Sequence, residues 1–261
     1  MKRILSSFVA AAVLAVLAAC ASSGDACNSK LYEPVPGADQ DPGYQKVTTP
    51  ALSQNFVQRI AEKKNQAQTQ GKNIQLVLVG DSITHFWEGG FFGGGGQGVY
   101  QKELSKYTPL NLGFSGDRTE NILHVIKNTG IFELIDPQLV TLMIGTNNFG
   151  MHEAEPVATA EAIRLCVLAL KEKAPNAKIL LYGIFPRGDG LGDKCAATNE
   201  IIKDFADNKV VFYEDLTPKL TDENGKLIQG VMNFDQLHPA EPGYRIWADS
   251  ILEFTKNHDI K

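Results

Sequence analysis

Four cysteines in 261 residues are too few for a disulfide-built scaffold, and no two of them stand at the spacing a structural zinc site needs. Basic residues are also scarce. Against 30 acidic residues there are 25 Lys and Arg, giving a net charge of −5 and a pI near 5.6. The chain therefore lacks the cationic face that neutralises a phosphate backbone, and no nucleic-acid partner is expected. The glycine-rich patch Gly89 to Gly98 lacks the Gly-Lys-Ser/Thr ending of a phosphate loop and reads as a mobile loop. No internal repeat and no cofactor motif is present. What remains is a chain 43% hydrophobic and 8% aromatic, long enough to bury the core of one α/β domain.

The N-terminus has its own logic. Lys2 and Arg3 precede a small, apolar stretch from Phe8 to Ala19, the order of an export signal, and that stretch is shorter than the roughly 20 apolar residues of a spanning helix. It ends in Leu17-Ala18-Ala19-Cys20, which resembles the bacterial lipobox. The resemblance implies cleavage before Cys20 and lipidation of Cys20, a membrane anchor worth about 0.8 kcal/mol per buried methylene of acyl chain. Ala21 in place of Asp implies delivery to the outer membrane of a bacterial cell envelope, with the periplasmic and surface faces both open. The expected organisation is a signal peptide over 1–19, a Ser-, Gly-, Pro- and Asp-rich tether over 20–50 and a folded domain over 51–261. Cys27 falls in the tether, Cys166 on a helix and Cys195 in a loop. A Cys166–Cys195 disulfide and two separate thiols are both open readings.

Within the folded part, short apolar runs alternate with helical periods. Strands are expected at 74–79, 110–112, 139–144, 178–185 and 210–213, and helices at 52–64, 99–106, 120–128, 157–173, 196–208 and 242–256. Continuous apolar runs separated by helices describe parallel strands covered on both faces. The expected fold is a three-layer α/β/α sandwich with a central parallel sheet of about five strands. Ligands of such sheets bind beyond the carboxyl ends of the strands, which directs attention to the loops that open at Gly80, Gly113, Gly145 and Pro186.

Those loops hold the unusual residues. Gly80-Asp81-Ser82 ends the first strand, so Ser82 is either a nucleophile or a helix N-cap. Gly113 to Gly116 follows the second strand, and Gly116 lets a backbone amide approach a ligand closely. Asn147, in Gly145-Thr146-Asn147-Asn148, offers a carboxamide to a developing oxyanion or makes an ordinary turn. Asp235 stands three residues before His238, a spacing that suits an acid orienting an imidazole base. The four other histidines have no acid in this relation. Arg187 either orders a loop over the site or is a surface arginine, and Phe91 and Phe92 are candidates to fold over the pocket.

Taken together, Gly80-Asp81-Ser82, Gly113 to Gly116, Gly145-Thr146-Asn147 and Asp235 to His238 stand in the order of the SGNH (GDSL) hydrolases, which the chain resembles over most of residues 74–250. Val79 to Trp87, Asn111 to Asn121, Val140 to Asn148, Gly183 to Gly188 and Leu237 to Tyr244 are similar to the platelet-activating-factor acetylhydrolase catalytic-subunit branch. The resemblance implies a flavodoxin-like fold, no metal, and ester hydrolysis through an acyl-enzyme. It implies Ser82 as nucleophile and oxyanion donor, Gly116 and Asn147 as the other donors, and Asp235 and His238 as the rest of the triad. Asn148, where many members carry Asp, agrees with the acetylhydrolase branch. The implied substrate is a small-molecule or glycan ester with a short, acetyl-like acyl group. A lysophospholipase or thioesterase is the alternative within catalysis, and a non-catalytic glycan-binding surface lipoprotein is the alternative outside it. The oligomeric state, a homodimer included, is open.

Overall fold

Five apolar runs form five parallel strands in the computed structural model, which describes residues 30–40, 54–90 and 95–261. Cys20, Cys27, Phe91 and Phe92 lie outside the described residues. The strands are β1 (Leu76–Gly80), β2 (Leu110–Gly113), β3 (Leu139–Met143), β4 (Lys178–Tyr182) and β5 (Val211–Glu214), ordered β2-β1-β3-β4-β5. Alternate residues of each strand face opposite helical layers. Val77, Val79, Val140, Leu142, Ile179 and Leu181 join one core. Leu76, Leu78, Leu139, Met143, Leu180 and Tyr182 join the other. Both faces are thus apolar, which is why the strands read as unbroken hydrophobic runs.

The first core is covered by α1 (Gln54–Gln70), α3 (Thr119–Asn128), α5 (Pro156–Lys173) and α6 (Gly192–Ile202). The second is covered by α8 (Glu241–Asn257), whose Tyr244 and Trp247 pack around Trp87, with ring centroids 4.6 and 5.1 Å from it. Three short helices open on strand-end loops or lie between longer elements: α2 (Ser82–His85), α4 (Thr146–His152) and α7 (Thr217–Leu220). The expected helix at 99–106 is irregular, α-helical over Gln97–Val99, π-helical over Tyr100–Leu104 and 3-10 over Ser105–Tyr107. No helix among the described residues is long and apolar enough to cross a membrane.

Two expectations are corrected. Residues 30–40, assigned above to the tether, pack on the body: Leu31, Val35 and Ala38 are buried in the first core. The Val35 N–H donates to Glu161 Oε2 (3.0 Å), and Arg164 Nη1 donates to the Leu31 carbonyl (2.9 Å). Cys195 stands on α6 and not in a loop, because that helix starts at Gly192, four residues ahead of its expected start. Cys166 and Cys195 are both free, buried thiols, and burial pushes both up in pKa, Cys195 to about 12.

The strand order places the functional loops. The chain leaves β1 for β2 on one side and then crosses to β3 on the other, so the carboxyl end of β1 lies at a topological switch point, where crossovers diverge and leave a crevice. Gly80 of β1 is in register with Gly113 of β2 and Met143 of β3, which brings three of the four loops together.

Candidate active site

Ser82 is the first residue of α2, directly after β1, with Asp81 as N-cap, its Oδ1 accepting the Ile83 N–H at 2.9 Å. The alternative in which Ser82 itself caps the helix therefore does not apply. Its Oγ lies 2.8 Å from His238 Nε2, and His238 Nδ1 lies 2.7 Å from Asp235 Oδ2. Asp235 Oδ1 also accepts the backbone N–H groups of Leu237 (3.1 Å) and His238 (3.0 Å). Burial works to raise the Asp235 carboxyl, but these hydrogen bonds outweigh it and hold the group below its ordinary pKa. Asp235 thus stays ionised and fixes the proton of His238 on Nδ1, leaving Nε2 to accept from the serine. The Phe86 ring packs on the imidazole, centroids 4.9 Å apart.

The two other candidate donors stand at the ends of β2 and β3. Asn147, on α4, donates one N–H of its carboxamide to the Asp117 carbonyl (2.8 Å), which sets the plane of the amide. Gly116 precedes Asp117 in a tight turn, with φ +79°, a left-handed conformation in which a side chain would be strained. Ser82 and Asn147, on the helices that open after β1 and β3, Gly116 in the turn after β2, and the Asp235–His238 loop, which reaches Ser82 through His238, therefore belong to the carboxyl end of the sheet.

The GDSL-like lipase/acylhydrolase family model matches residues 78–246, which include the whole constellation. The chain belongs to that family. It is a carboxylic ester hydrolase. The acylhydrolase is 29% identical over 185 residues to the human platelet-activating factor acetylhydrolase IB subunit alpha1, covering 68% of this chain and 74% of that one. A Bacteroides fragilis protein solved as a candidate acylhydrolase superposes with TM-score 0.63 at 19% identity, over 81% of this chain and 100% of that one. A carbohydrate esterase family 3 protein from Talaromyces cellulolyticus gives TM-score 0.50 at 16% identity, over 70% and 99%.

Several residues to which the sequence reading gave no role in the site hold its loops in shape. Arg59 of α1 donates from Nε to the Gly113 carbonyl (2.7 Å) and from Nη2 to Glu88 (2.8 Å), and buried Lys63 pairs with the same Glu88 at 2.6 Å. Asn111 accepts the Gly113 N–H (2.8 Å) and donates to the Thr84 carbonyl (3.0 Å), tying β2 to α2. His85 Nδ1 accepts the Ser115 N–H at 3.2 Å, a role that needs a neutral ring. Burial and then Arg59 press the His85 pKa down to about 4, which keeps it neutral. Asn148 accepts the Thr119 N–H (3.2 Å) and donates to Thr119 Oγ1 (2.8 Å). An aspartate there could perform only the first of these tasks when ionised.

Arg187, open between two readings in the sequence, is partnered. Its Nη1 donates to the carbonyl (3.0 Å) and hydroxyl (2.7 Å) of Thr146, the residue before Asn147, and its guanidinium pairs with Asp189. Behind the oxyanion side sit two buried carboxyls, Asp81 and Asp117, each with an Oδ2 atom that has no hydrogen-bond partner. Burial raises both, Asp81 to about 7 and Asp117 to about 9, and for Asp117 the nearness of Asp81 adds to the rise. Among the described residues no group of three His, Cys, Asp or Glu side chains is placed to hold a metal.

Proposed function

We propose that Ser82 is the nucleophile of a short-chain esterase, with His238 as general base and acid and Asp235 as the group that orients it. The observation that carries this is the unbroken chain from Ser82 Oγ to His238 to Asp235, with contacts of 2.8 and 2.7 Å. Ser82 Oγ attacks the ester carbonyl while His238 Nε2 takes its proton. The backbone N–H groups of Ser82 and Gly116 and the second N–H of Asn147 receive the oxyanion, each donor worth about 3–4 kcal/mol in comparable hydrolases. Collapse returns the proton from His238 to the departing alkoxide and leaves acyl-Ser82. Water, deprotonated by His238, then releases the acid.

The acyl group is acetyl or similarly short in this reading, supported by the similarity to an enzyme named as an acetylhydrolase. The alcohol is a carbohydrate or other glycan, and the protein is displayed on the bacterial envelope through a lipidated Cys20. The order of charge, apolar stretch, small residues and cysteine supports the anchor. Hydrolysis of nitrophenyl acetate, butyrate and octanoate by wild type, Ser82→Ala and His238→Ala tests the proposal. Acetate turnover should fall by about 10⁴-fold or more in both variants, and wild-type turnover should drop beyond four carbons. Octanoate turned over faster than acetate would transfer the reading to a lysophospholipase or thioesterase. Failure of a fluorophosphonate to label wild-type Ser82 would return it to a binding protein.

A further inference from the structure

Beside the catalytic loop lies a cleft of about 840 Å³, walled on one side by residues 186–199 and on the other by 217–236. Neither Ser82 nor His238 lines it. It adjoins the reaction centre through Asn233 and Gln236, which flank Asp235, and through Arg187, which holds the residue before Asn147. That position is next to the scissile bond yet outside the place where the acyl carbon must sit, so it suits the alcohol half of an ester.

Its lining narrows the chemistry of that alcohol. The charges nearly cancel: Lys226 opposes Asp193, and the Arg187 guanidinium is engaged by Asp189. No surplus cation is present to fork onto a phosphate or carboxylate. Among the described residues no aromatic ring lines the cleft, and these residues build no cage for a quaternary ammonium. Nor is the wall continuously apolar, as a long acyl chain would require. The carboxamides of Gln229, Asn233 and Gln236 and the backbone of five glycines alternate with apolar Leu227, Ile228 and Met232. Such a surface offers hydrogen-bond donors and acceptors to hydroxyl edges and flat apolar patches to C–H faces, and its volume lies within the range of about 300–1,000 Å³ of small-molecule sites.

We infer that this cleft is the leaving-group subsite and that it takes a neutral, polyhydroxylated alcohol, a short run of sugar units. The inference rests on the esterase reading of Ser82 and adds to it the place and chemistry of the product alcohol. Ala196, exposed on α6 and lining the cleft, is the position at which to fill it. Ala196→Trp and, separately, Gln229→Ala are compared with wild type on nitrophenyl acetate and on mono-O-acetylated trisaccharides of xylose and of glucose. Nitrophenyl acetate has an activated leaving group too short to depend on the cleft, so kcat/KM on it should stay within about twofold, which also reports that each variant is folded. On the acetylated trisaccharides Ala196→Trp should lose at least tenfold in kcat/KM, mainly through KM, and Gln229→Ala a smaller amount in the same direction. Variants that match wild type on both substrates, or lose equally on both, overturn the subsite. Wild type that cleaves nitrophenyl acetate but no acetylated trisaccharide overturns the sugar reading while the esterase stands. Wild type that cleaves neither overturns the esterase reading itself.

Discussion

The two halves of the active site are built to different standards. The oxyanion half sits on strand ends, and its supports are buried: Asn111 and Asn148 have no exposed surface, and each carboxamide both donates and accepts. The acid–base half is a loop without regular structure. Asn233 pinches it shut by donating to the His238 and Pro239 carbonyls (2.8 and 3.0 Å), Gln236 holds a left-handed backbone at φ +54°, and Phe234 is 77% exposed. The part that must match one invariant transition state is over-determined by hydrogen bonds. The acid–base part is also held by many hydrogen bonds, but most of them close locally, within residues 231–240. Rigid placement of donors where charge develops is the larger source of rate, so this division matches the demands of each half.

After the Ser82 and His238 variants above, removing a donor from the rigid half should have the largest effect. Asn147→Ala is expected to lower kcat by about 10²–10³-fold with KM little changed. A loss confined to KM would mean that the amide binds ground state and transition state alike. A pair of glycine variants compares the halves directly. At Gly113 a Cβ would meet the His85 backbone nitrogen at 2.2 Å, with nothing able to give way, whereas at Gly188 it would meet the Gln236 side chain, Oε1 at 2.0 Å. Gly113→Ala should cost at least the upper end of the roughly 1–3 kcal/mol seen for overpacking, a Tm drop of about 6–12 °C. At Gly188 the added Cβ also meets Gln236 Cβ at 2.8 Å, so Gly188→Ala should cost something, but less than Gly113→Ala because only one loop side chain, and no helix backbone, must move. Equal losses in thermal melts of the two would remove the distinction between rigid and yielding halves.

The smallest expected effect concerns pH. The Asp117 carboxyl rises from 3.8 to about 9 on folding, so between those values the folded chain holds a proton that the unfolded chain has released. Stability contributed at this position therefore falls as pH rises from about 4 to 9. Asp117→Asn keeps the backbone carbonyl that orients Asn147 and removes the titration. Its Tm should equal that of wild type near pH 4 and exceed it by a few degrees at pH 8.5. A gap that stays constant across this range would show Asp117 to be ionised in the folded protein.

Legibility followed the range of the interactions. β1 and β3 were readable because burial on both faces leaves continuous apolar runs, and the pairing of Asp235 with His238 because the two are local neighbours. Arg59 left no local mark, since its task is to reach Gly113, 54 residues away. α4 was missed because seven residues are too short to establish a helical period. The packed segment 30–40 was hidden by its Pro, Gly and Asp content, although Leu31, Val35 and Ala38 are spaced by four and three. Arg187 was ambiguous because a lone arginine has no sequence signature for the carbonyl it will hold.

That packed segment also gives the molecule an up and a down. Lys30 pairs with Asp204, in the short 3-10 helix that ends α6 ahead of β5, while Val35 is tied to Glu161 in the first half of α5, which follows β3. The chain therefore climbs from the foot of the sheet toward the catalytic rim. If Cys20 is the anchor, the ten steps from it to Lys30 make a leash of at most about 36 Å attached at the foot.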